Sequence, residues 1–293
     1  MSWLLANVSA AIKVSSLYMK TGSPVSQQEL NQMGSAKVFL IEKDGVQVIE
    51  KRNPTQIEVA FYQRYAEQFN ALGIHVPRLI QFDDQKNVLH IEYVPHAVDQ
   101  AFLLEDDRVI EQLVKLHQLP PTSDGIYHRH QWTPQATQQA LTTLELGSET
   151  EQFFHNLQQR SAHLFDGQDL ISGDSNAGNW GQRENGELVL FDWERFSTGH
   201  VAIDLAPLIE GMGTFDDYLK VAGRYIKCAE KGETTELAHD IGLAKAWIVV
   251  EVVNILVSRK NPQTSKYLDW FRQTLPQWAK SLSAQVMMLG SDI

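Results

Sequence analysis

The sequence predicts an α+β fold in which antiparallel strands occupy the first third of the chain and helices dominate the remainder. Lys37–Glu42 and Val46–Lys51 are runs rich in Val, Ile, Leu and Phe, and the turn Lys43-Asp44-Gly45 joins them as in a hairpin. A second pair of strand-like runs covers residues 76–82 and 87–94. Past these runs, apolar residues recur at the three- and four-residue spacing of helices.

The first helix is predicted between the two strand pairs. Ile57, Phe61, Tyr65 and Phe69 recur at helical spacing, and Pro54 precedes them, as is usual before a helix start. Later helices are predicted, in chain order, at about 109–117, 134–165 with a break near Gly147, 215–231, 235–259 and 264–288.

Composition and charge exclude several classes of protein. The chain has 293 residues, of which 43% are hydrophobic and 21% charged, ordinary values for a globular protein with room for two lobes. A net charge of −11 without a basic run makes nucleic acid an unfavourable partner. A single cysteine, Cys228, excludes an intramolecular disulfide and a cysteine-based zinc site. We expect no membrane-spanning run and no signal peptide, and therefore a cytoplasmic protein.

The stretch Leu170–Glu194 carries the strongest chemical signal. A loop rich in Gly and Asn lies between two short apolar runs, and Asn185-Gly186 predicts a tight hairpin because both residues tolerate positive φ. Asp174 and Asn179 lie on the loop, and Asp192 ends the second strand. The hairpin would return Asp192 to the loop, so two carboxylates and an amide would form a hard-oxygen site suited to Mg²⁺.

This stretch resembles the catalytic core of the aminoglycoside phosphotransferase and choline kinase superfamily, a branch of the protein-kinase-like fold. The family pattern is His-Gly-Asp, four residues, Asn, a strand ending in Ile-Asp-Trp-Glu, then Gly and Asp-Leu-Ala. The matching residues here are Ser172-Gly173-Asp174, Asn179, Phe191-Asp192-Trp193-Glu194, Gly199 and Asp204-Leu205-Ala206. Ser172 replaces the usual His, which is the one departure from the pattern.

The resemblance implies a bilobal fold. Residues 1–94 would form a small antiparallel-sheet lobe that binds nucleotide, and residues 95–293 a larger, mostly helical lobe for catalysis and acceptor binding. It also implies transfer of a phosphoryl group from ATP to a hydroxyl of a small-molecule acceptor. Asp174 would orient that hydroxyl and take its proton, while Asn179 and Asp192 would bind Mg²⁺.

Further nucleotide contacts follow from the same resemblance. Lys51, at the end of the second strand, matches the lysine that reaches the phosphates, and Glu58 matches the helix glutamate that orients it. Arg52 and Glu67 are the alternatives for these two roles. Neither position would stand out as functional without the core motif.

Two backbone segments complete the predicted nucleotide site. Gly34 and Ser35 fall where a loop would cover the phosphates, although one glycine makes a weak motif. Glu92 and Val94 resemble the hinge between lobes, where the Glu92 carbonyl and the Val94 amide would bond the adenine edge. Pro95, which cannot donate a hydrogen bond, fits an exit from the sheet.

Three other functions remain open at this stage. A protein serine/threonine kinase of the same fold is disfavoured because no Ala-Pro-Glu segment follows Asp192. A nucleotide-binding pseudokinase that serves as an interaction module is disfavoured because the Asp, Asn and Lys positions are all filled. An unrelated hydrolase lacks a visible nucleophile triad. The acceptor itself is not predicted, because one fold serves many substrates.

Overall fold

The computed structural model describes residues 28–30 and 37–289. The predicted phosphate-loop residues Gly34 and Ser35 lie outside the described residues. The strands, in chain order, are β1 Gln28–Leu30, β2 Lys37–Lys43, β3 Val46–Arg52, β4 Leu79–Asp83, β5 Val88–Glu92, β6 His96–Ala97, β7 Asp169–Ile171, β8 Trp180–Gln182, β9 Leu188–Leu190 and β10 Ser197–Gly199.

The helices include those predicted, in the same order, and two short helices, Gln100–Glu105 and Ala202–Leu205, that were not predicted. They are α1 Gln56–Arg64, α2 Ala66–Ala71, α3 Gln100–Glu105, α4 Asp107–His117, α5 Pro134–Leu144, α6 Ser148–Gln159, α7 Ala162–Phe165, α8 Ala202–Leu205, α9 Phe215–Ala229, α10 Thr234–Ser258 and α11 Thr264–Leu289. Single 3₁₀ turns occur at Ala177–Asn179, Trp193–Arg195 and Ala206–Leu208. The predicted α+β class, with an antiparallel sheet near the N-terminus and helices after it, is confirmed.

Backbone contacts divide the described chain into two compact units. The sheet unit comprises residues 28–30, 37–128 and 170–197, and the helical unit comprises 129–169 and 198–289. The sheet unit therefore contains β1 to β6 and, later in the chain, residues 170–197. The lobe boundary after Val94 stays a prediction.

The sheet unit is built on a five-stranded antiparallel sheet in the order β1-β2-β3-β5-β4. Lys51 lies on the central strand β3, opposite Val38 of β2 and Leu89 of β5, both of which are buried. Lys51 is itself buried. Its ammonium group must therefore find its partners within the protein.

Strand β4 begins later than predicted. The expected strand started at Val76, but the ladder starts at Leu79. The Val76 carbonyl instead accepts hydrogen bonds from the side chains of Asn70 and Arg183, at 3.0 Å each. These side-chain bonds satisfy the backbone group that a strand partner would otherwise take.

The predicted first helix is divided in two at Tyr65, and an aromatic cluster holds both parts. Phe61 of α1 stacks on Trp193, with ring centroids 4.1 Å apart and planes 5° from parallel. Phe69 and Phe196 pack around the same pair at 5.1–6.0 Å. This cluster anchors α1 against the residues that follow Asp192. It therefore also fixes where the remaining side chains of α1 lie relative to the Asp192 carboxylate.

The hairpin of β8 and β9 is wider than a two-residue turn. The Arg183 N–H bonds the Glu187 carbonyl, and only Gly186, with φ 82°, has a left-handed backbone. Asn185 instead accepts the Glu187 N–H with its side chain. The predicted hairpin is therefore present, but only Gly186 uses the positive φ that both residues tolerate, because the side-chain bond of Asn185 stabilises the ordinary conformation.

Helix α10 forms the core of the helical unit. By length and composition alone it could cross a membrane, yet 67% of its apolar window is buried within the protein. The expectation that no apolar run reaches membrane-spanning length is therefore wrong. Lys245 and Glu251 lie within this helix, but its mean hydropathy is 1.8, still high enough for a membrane span. Within the unit the helix makes core contacts, such as the bond from Trp247 Nε1 to the Gln131 carbonyl at 3.2 Å.

Candidate active site

A buried charge cluster in the sheet unit joins three of the predicted site residues. The Lys51 ammonium lies 2.5 Å from Glu58 Oε1 and 2.9 Å from Asp192 Oδ1. The side chains of Lys51, Glu58 and Asp192 are 4%, 0% and 8% exposed. By contrast, Arg52 is 42% exposed and pairs with Glu50, while Glu67 is exposed. The structure thus brings Lys51 and Glu58 together, whereas the alternatives Arg52 and Glu67 lie outside the charge cluster.

Two carboxylates share one lysine, and this sets the electrostatics of the cluster. Burial alone would lower the pKa of Lys51, but Asp192 and Glu58 outweigh it and hold that pKa well above the usual value. Burial raises the pKa of Glu58 to about 7, with Lys51 opposing the shift and Asp192 adding to it. Lys51 is therefore a permanent cation, suited to phosphate oxygens.

Tyr62 belongs to this cluster and was missed in the sequence. Its hydroxyl and Glu58 Oε2 are both buried and have no hydrogen-bond partner among the described residues. Burial, and next the Glu58 carboxylate, raise the pKa of Tyr62 well above its usual value. Its one sequence signal is its place four residues after Glu58, on the same face of α1.

Asp192 has a strained backbone. Its φ of 66° and ψ of 68° are left-handed, which is uncommon for a residue other than glycine. Such conformations cost on the order of 1–3 kcal/mol and cluster at functional sites. Here the conformation turns the chain from β9 into the Trp193–Arg195 turn, and the Trp193 indole bonds the Leu190 carbonyl at 3.0 Å.

Asn179 has a buried side-chain oxygen that could accept a cation. Its side-chain nitrogen Nδ2 donates to the Asp174 backbone carbonyl at 2.7 Å, and its backbone carbonyl accepts the Phe191 N–H at 2.9 Å. The side-chain oxygen Oδ1 is left buried with no partner among the described residues. An unpaired buried oxygen is costly in a dry site but suits a hard cation, and the backbone bond holds Asn179 against the residue that precedes Asp192, so the two residues fit Mg²⁺.

Asp174 lies half-buried on a loop that several local bonds support. The Asn176 side chain donates to Asp174 Oδ1 at 2.7 Å, and the backbone N–H of Asp174 donates to Ser172 Oγ at 3.3 Å. Gly173, with φ 76°, has the left-handed backbone that glycine permits, and its carbonyl accepts a bond from Arg195 at 3.2 Å. Ser172, which replaces the usual His, therefore contributes a local bond to the loop.

Glu194 adds a third carboxylate near the two aspartates. Burial, together with the neighbouring carboxylates of Asp192 and then Asp174, raises the pKa of Glu194, with Lys51 opposing the shift. The carboxylates of Asp192 and Asp174 are therefore close enough to Glu194 to disfavour its charged form. Such a concentration of negative charge favours cations.

A pocket in the sheet unit joins the hinge residues to the charge cluster. Its lining includes the predicted hinge residues Glu92 and Val94 as well as Lys51 and Asp192 of the charge cluster. Its remaining walls are mostly apolar and come from Val38, Ile49, Pro77, Ile91, Tyr93 and Phe191. The arrangement suits a ligand with a flat apolar part and an anionic part.

The sequence matches the model of the phosphotransferase enzyme family over residues 27–231. The chain belongs to this family. No curated protein matches the sequence. The match includes both Lys51 and the Asp174–Asp192 stretch, so the resemblance found in the sequence is confirmed for the family as a whole.

Solved structures share the fold of this phosphotransferase. LicA in complex with AMP is 19% identical, with a TM-score of 0.56 over 93% of this chain and 97% of that one. A macrolide 2'-phosphotransferase of type I is 16% identical, with a TM-score of 0.57 over 87% and 92%. The GDP complex of aminoglycoside 2'-phosphotransferase-IIIa is 12% identical, with a TM-score of 0.60 over 87% and 94%. At these identities the likeness confirms the protein-kinase-like fold.

Proposed function

We propose that this phosphotransferase moves the γ-phosphoryl group of ATP to a hydroxyl of a small molecule. The observation that carries the proposal is the buried set of Lys51, Glu58 and Asp192, together with the buried, unpaired Oδ1 of Asn179, whose backbone carbonyl bonds the residue before Asp192. A cation, two hard-oxygen ligands and an apolar pocket meet the needs of a nucleoside triphosphate. The nucleotide complexes of LicA and of the aminoglycoside enzyme support the same ligand class.

Each residue has a role in the proposed reaction. Lys51, oriented by Glu58, binds the phosphates, and the hinge backbone at Glu92 and Val94 binds the base. Asp174 accepts a hydrogen bond from the acceptor hydroxyl, orients it and takes its proton as the new O–P bond forms. The bond between the γ-phosphorus and the bridging oxygen breaks, and ADP leaves with that oxygen.

Asn179 and Asp192 would hold Mg²⁺. When bound, the ion supplies positive charge that offsets the phosphate charge otherwise repelling the attacking oxygen. The structural ground for this assignment is the pair of oxygens described above, one unpaired and one carboxylate. The Asp192 carboxylate would serve as a ligand while it also pairs with Lys51, whose Nζ lies 2.9 Å from Asp192 Oδ1.

The acceptor class is proposed only as a hydroxylated small molecule. The similar solved structures include a macrolide 2'-phosphotransferase, the choline kinase LicA from Streptococcus pneumoniae and an aminoglycoside 2'-phosphotransferase, which supports this class. The cluster of Asp174, Asp192 and Glu194 favours an acceptor that also carries an amine, because carboxylates attract ammonium groups. We place the reaction in the cytoplasm, where ATP and Mg²⁺ are available.

A single experiment tests the proposal. ADP release is measured with Mg·ATP and a panel of aminoglycosides, macrolides, choline, ethanolamine, homoserine, sugars and nucleosides. We expect one class to stimulate ADP release in the wild type and none to do so in Asp174→Asn. Tight Mg·ATP binding without stimulation by any member of the panel would favour a nucleotide-binding module. Absence of nucleotide binding would overturn the proposal.

A further inference from the structure

The hinge segment, Glu92–Ala97, is attached to the β8–β9 hairpin, Trp180–Leu190. Strand β6 pairs with β8 in antiparallel register, with His96 opposite Gln182 and Ala97 opposite Gly181. The hinge segment therefore belongs to two sheets, because its first residue ends β5 and its last two residues pair with β8. A segment paired at its far end in this way cannot bend freely.

An ion pair fastens the near end of the hinge segment to the same hairpin. Arg183 Nε donates to Glu92 Oε1 and Nη2 donates to Oε2, both at 2.8 Å. The two parallel bonds form the bidentate fork that arginine makes with carboxylates. The side chains of Arg183 and Glu92 are 9% and 19% exposed, so solvent screens the pair only weakly.

The guanidinium of Arg183 has further partners that fix its direction. Nη2 also donates to the Val76 carbonyl at 3.0 Å, and Nη1 donates to Glu187 at 3.2 Å. Burial alone would raise the pKa of Glu92, but the bonds from Arg183 and from the Arg78 N–H lower it below its usual value. Both partners therefore remain charged at neutral pH.

Gly181 shows how closely the hinge segment lies on the hairpin. A Cβ atom at this position would stand 2.9 Å from the His96 carbonyl oxygen and 3.0 Å from Val94 Cγ1. Real Cβ atoms essentially never approach backbone at that distance, so only glycine allows this contact. The hinge residue Val94 thus rests directly on the hairpin.

The hairpin also carries both candidate metal ligands. Asn179 immediately precedes β8, and Asp192 follows two residues after β9. One short rigid element therefore connects the part of the pocket that would bind the base with the part that would bind the phosphates.

We propose that Arg183 is a positioning residue for the nucleotide. Through its fork on Glu92 it holds the hinge segment at a fixed distance from Asn179 and Asp192, so that base and phosphates engage together. The inference rests on the proposed function, since it concerns the donor nucleotide of that reaction. It assigns to Arg183 a role that differs from catalysis, because Arg183 acts through Glu92.

The test compares Arg183→Gln with the control Arg78→Gln. Arg78 is 70% exposed, and its side-chain nitrogen lies 3.9 Å from Glu92, so its loss leaves the fork intact. We expect Arg183→Gln to raise the KM for Mg·ATP and the Kd for adenosine by roughly ten- to hundredfold, as misplacement of a binding group does. The KM for the acceptor and the affinity for inorganic tripolyphosphate with Mg²⁺ should stay within about threefold of wild type, since neither molecule contacts the hinge segment.

Further variants separate positioning from simple stability. Arg183→Lys retains the charge but not the fork, and we expect an intermediate rise in the KM for Mg·ATP. Glu92→Gln should reproduce Arg183→Gln, and the double variant should add little to either. A lowered melting temperature with an unchanged KM for Mg·ATP in Arg183→Lys or Arg183→Gln would overturn the inference while leaving the proposed function standing. Failure of the wild type to bind nucleotide would overturn both.

Discussion

Lys51 in the sheet unit and Lys245 in the helical unit are equally buried, each 4% exposed, yet their surroundings differ in kind. Lys51 contacts two carboxylates, which raise its pKa. Among the described residues, the hydrogen-bond partners of Lys245 are the carbonyl oxygens of Ile209 and Gly211, at 2.6 and 2.7 Å, and burial lowers its pKa to about 7. Burial alone therefore does not distinguish a functional cation from a structural one.

The charge of the partners makes that distinction. A lysine paired with carboxylates stays charged, so it can also contact a phosphate once a cation offsets the negative charge of the carboxylates. A lysine that bonds two carbonyls satisfies a turn of the backbone, and neutral amine serves that purpose with its two N–H groups. We expect changes in the first region to affect chemistry and changes in the second to affect folding.

The largest effect would come from Asp174→Ala. Removing a positioned general base typically lowers the rate by about 10² to 10⁴. Affinity for Mg·ATP should change little, because Lys51, Asn179, Asp192 and the hinge segment keep their contacts. Turnover with an identified acceptor and calorimetric Mg·ATP affinity provide the measurement. Near wild-type turnover would mean that the sheet unit does not perform its chemistry through Asp174.

The next effect would come from Lys51→Ala, with Arg52→Ala as its neighbour control. Removing one partner of a buried ion pair costs about 3–5 kcal/mol, because Glu58 and Asp192 lose their counter-charge. The exposed pair of Arg52 and Glu50 contributes about 0–1 kcal/mol. Urea unfolding and Mg·ATP titration of both variants should show loss of stability and of affinity in Lys51→Ala alone. The reverse ranking would assign the nucleotide contact to Arg52.

A smaller but more selective effect is expected for Asp192→Asn. Loss of a ligand carboxylate should weaken Mg²⁺-dependent nucleotide binding at least by the roughly 10- to 100-fold typical of changes around metal sites. Asp174→Asn should leave that binding nearly intact. Calorimetry of both variants with Mg·ATP, and with ATP plus a chelator, measures the difference. Equal losses would show that the two aspartates do not divide the roles as proposed.

The smallest effect concerns Lys245 and sharpens the contrast between the two lysines. Its folded pKa of about 7 is below the unfolded value, so the unfolded chain binds more protons between these pH values. The free energy of unfolding should therefore rise with pH above about 7, by at most roughly 1.4 kcal/mol per pH unit. Urea unfolding from pH 6 to 9, compared with Lys245→Met, isolates this slope. Parallel curves for the two proteins would refute the assignment.

Much of the site could be predicted because its key residues are close in the sequence. One loop and the hairpin after it carry Asp174, Asn179 and Asp192. Hydrogen bonds within this segment, from Asn179 to the Asp174 carbonyl and from the Phe191 N–H to the Asn179 carbonyl, hold it together. The strands around Lys51 were also predicted, within three residues at their ends, and so was a helix carrying Glu58, although the structure divides it at Tyr65. Periodicity and turn residues report local preferences of this kind directly.

The tertiary structure decided the partners that lie far apart in the chain. Lys51 bonds Asp192 across 141 positions, and Arg183 bonds Glu92 across 91. Neither pairing has a local signal in the sequence; Arg183, for example, lies in a polar turn, as surface residues commonly do. The buried bonds of Lys245 have no local signal either, because this lysine only interrupts an apolar helix. Long-range pairing depends on which faces pack together, and that follows from burying the aromatic cluster and the central strand rather than from local preference.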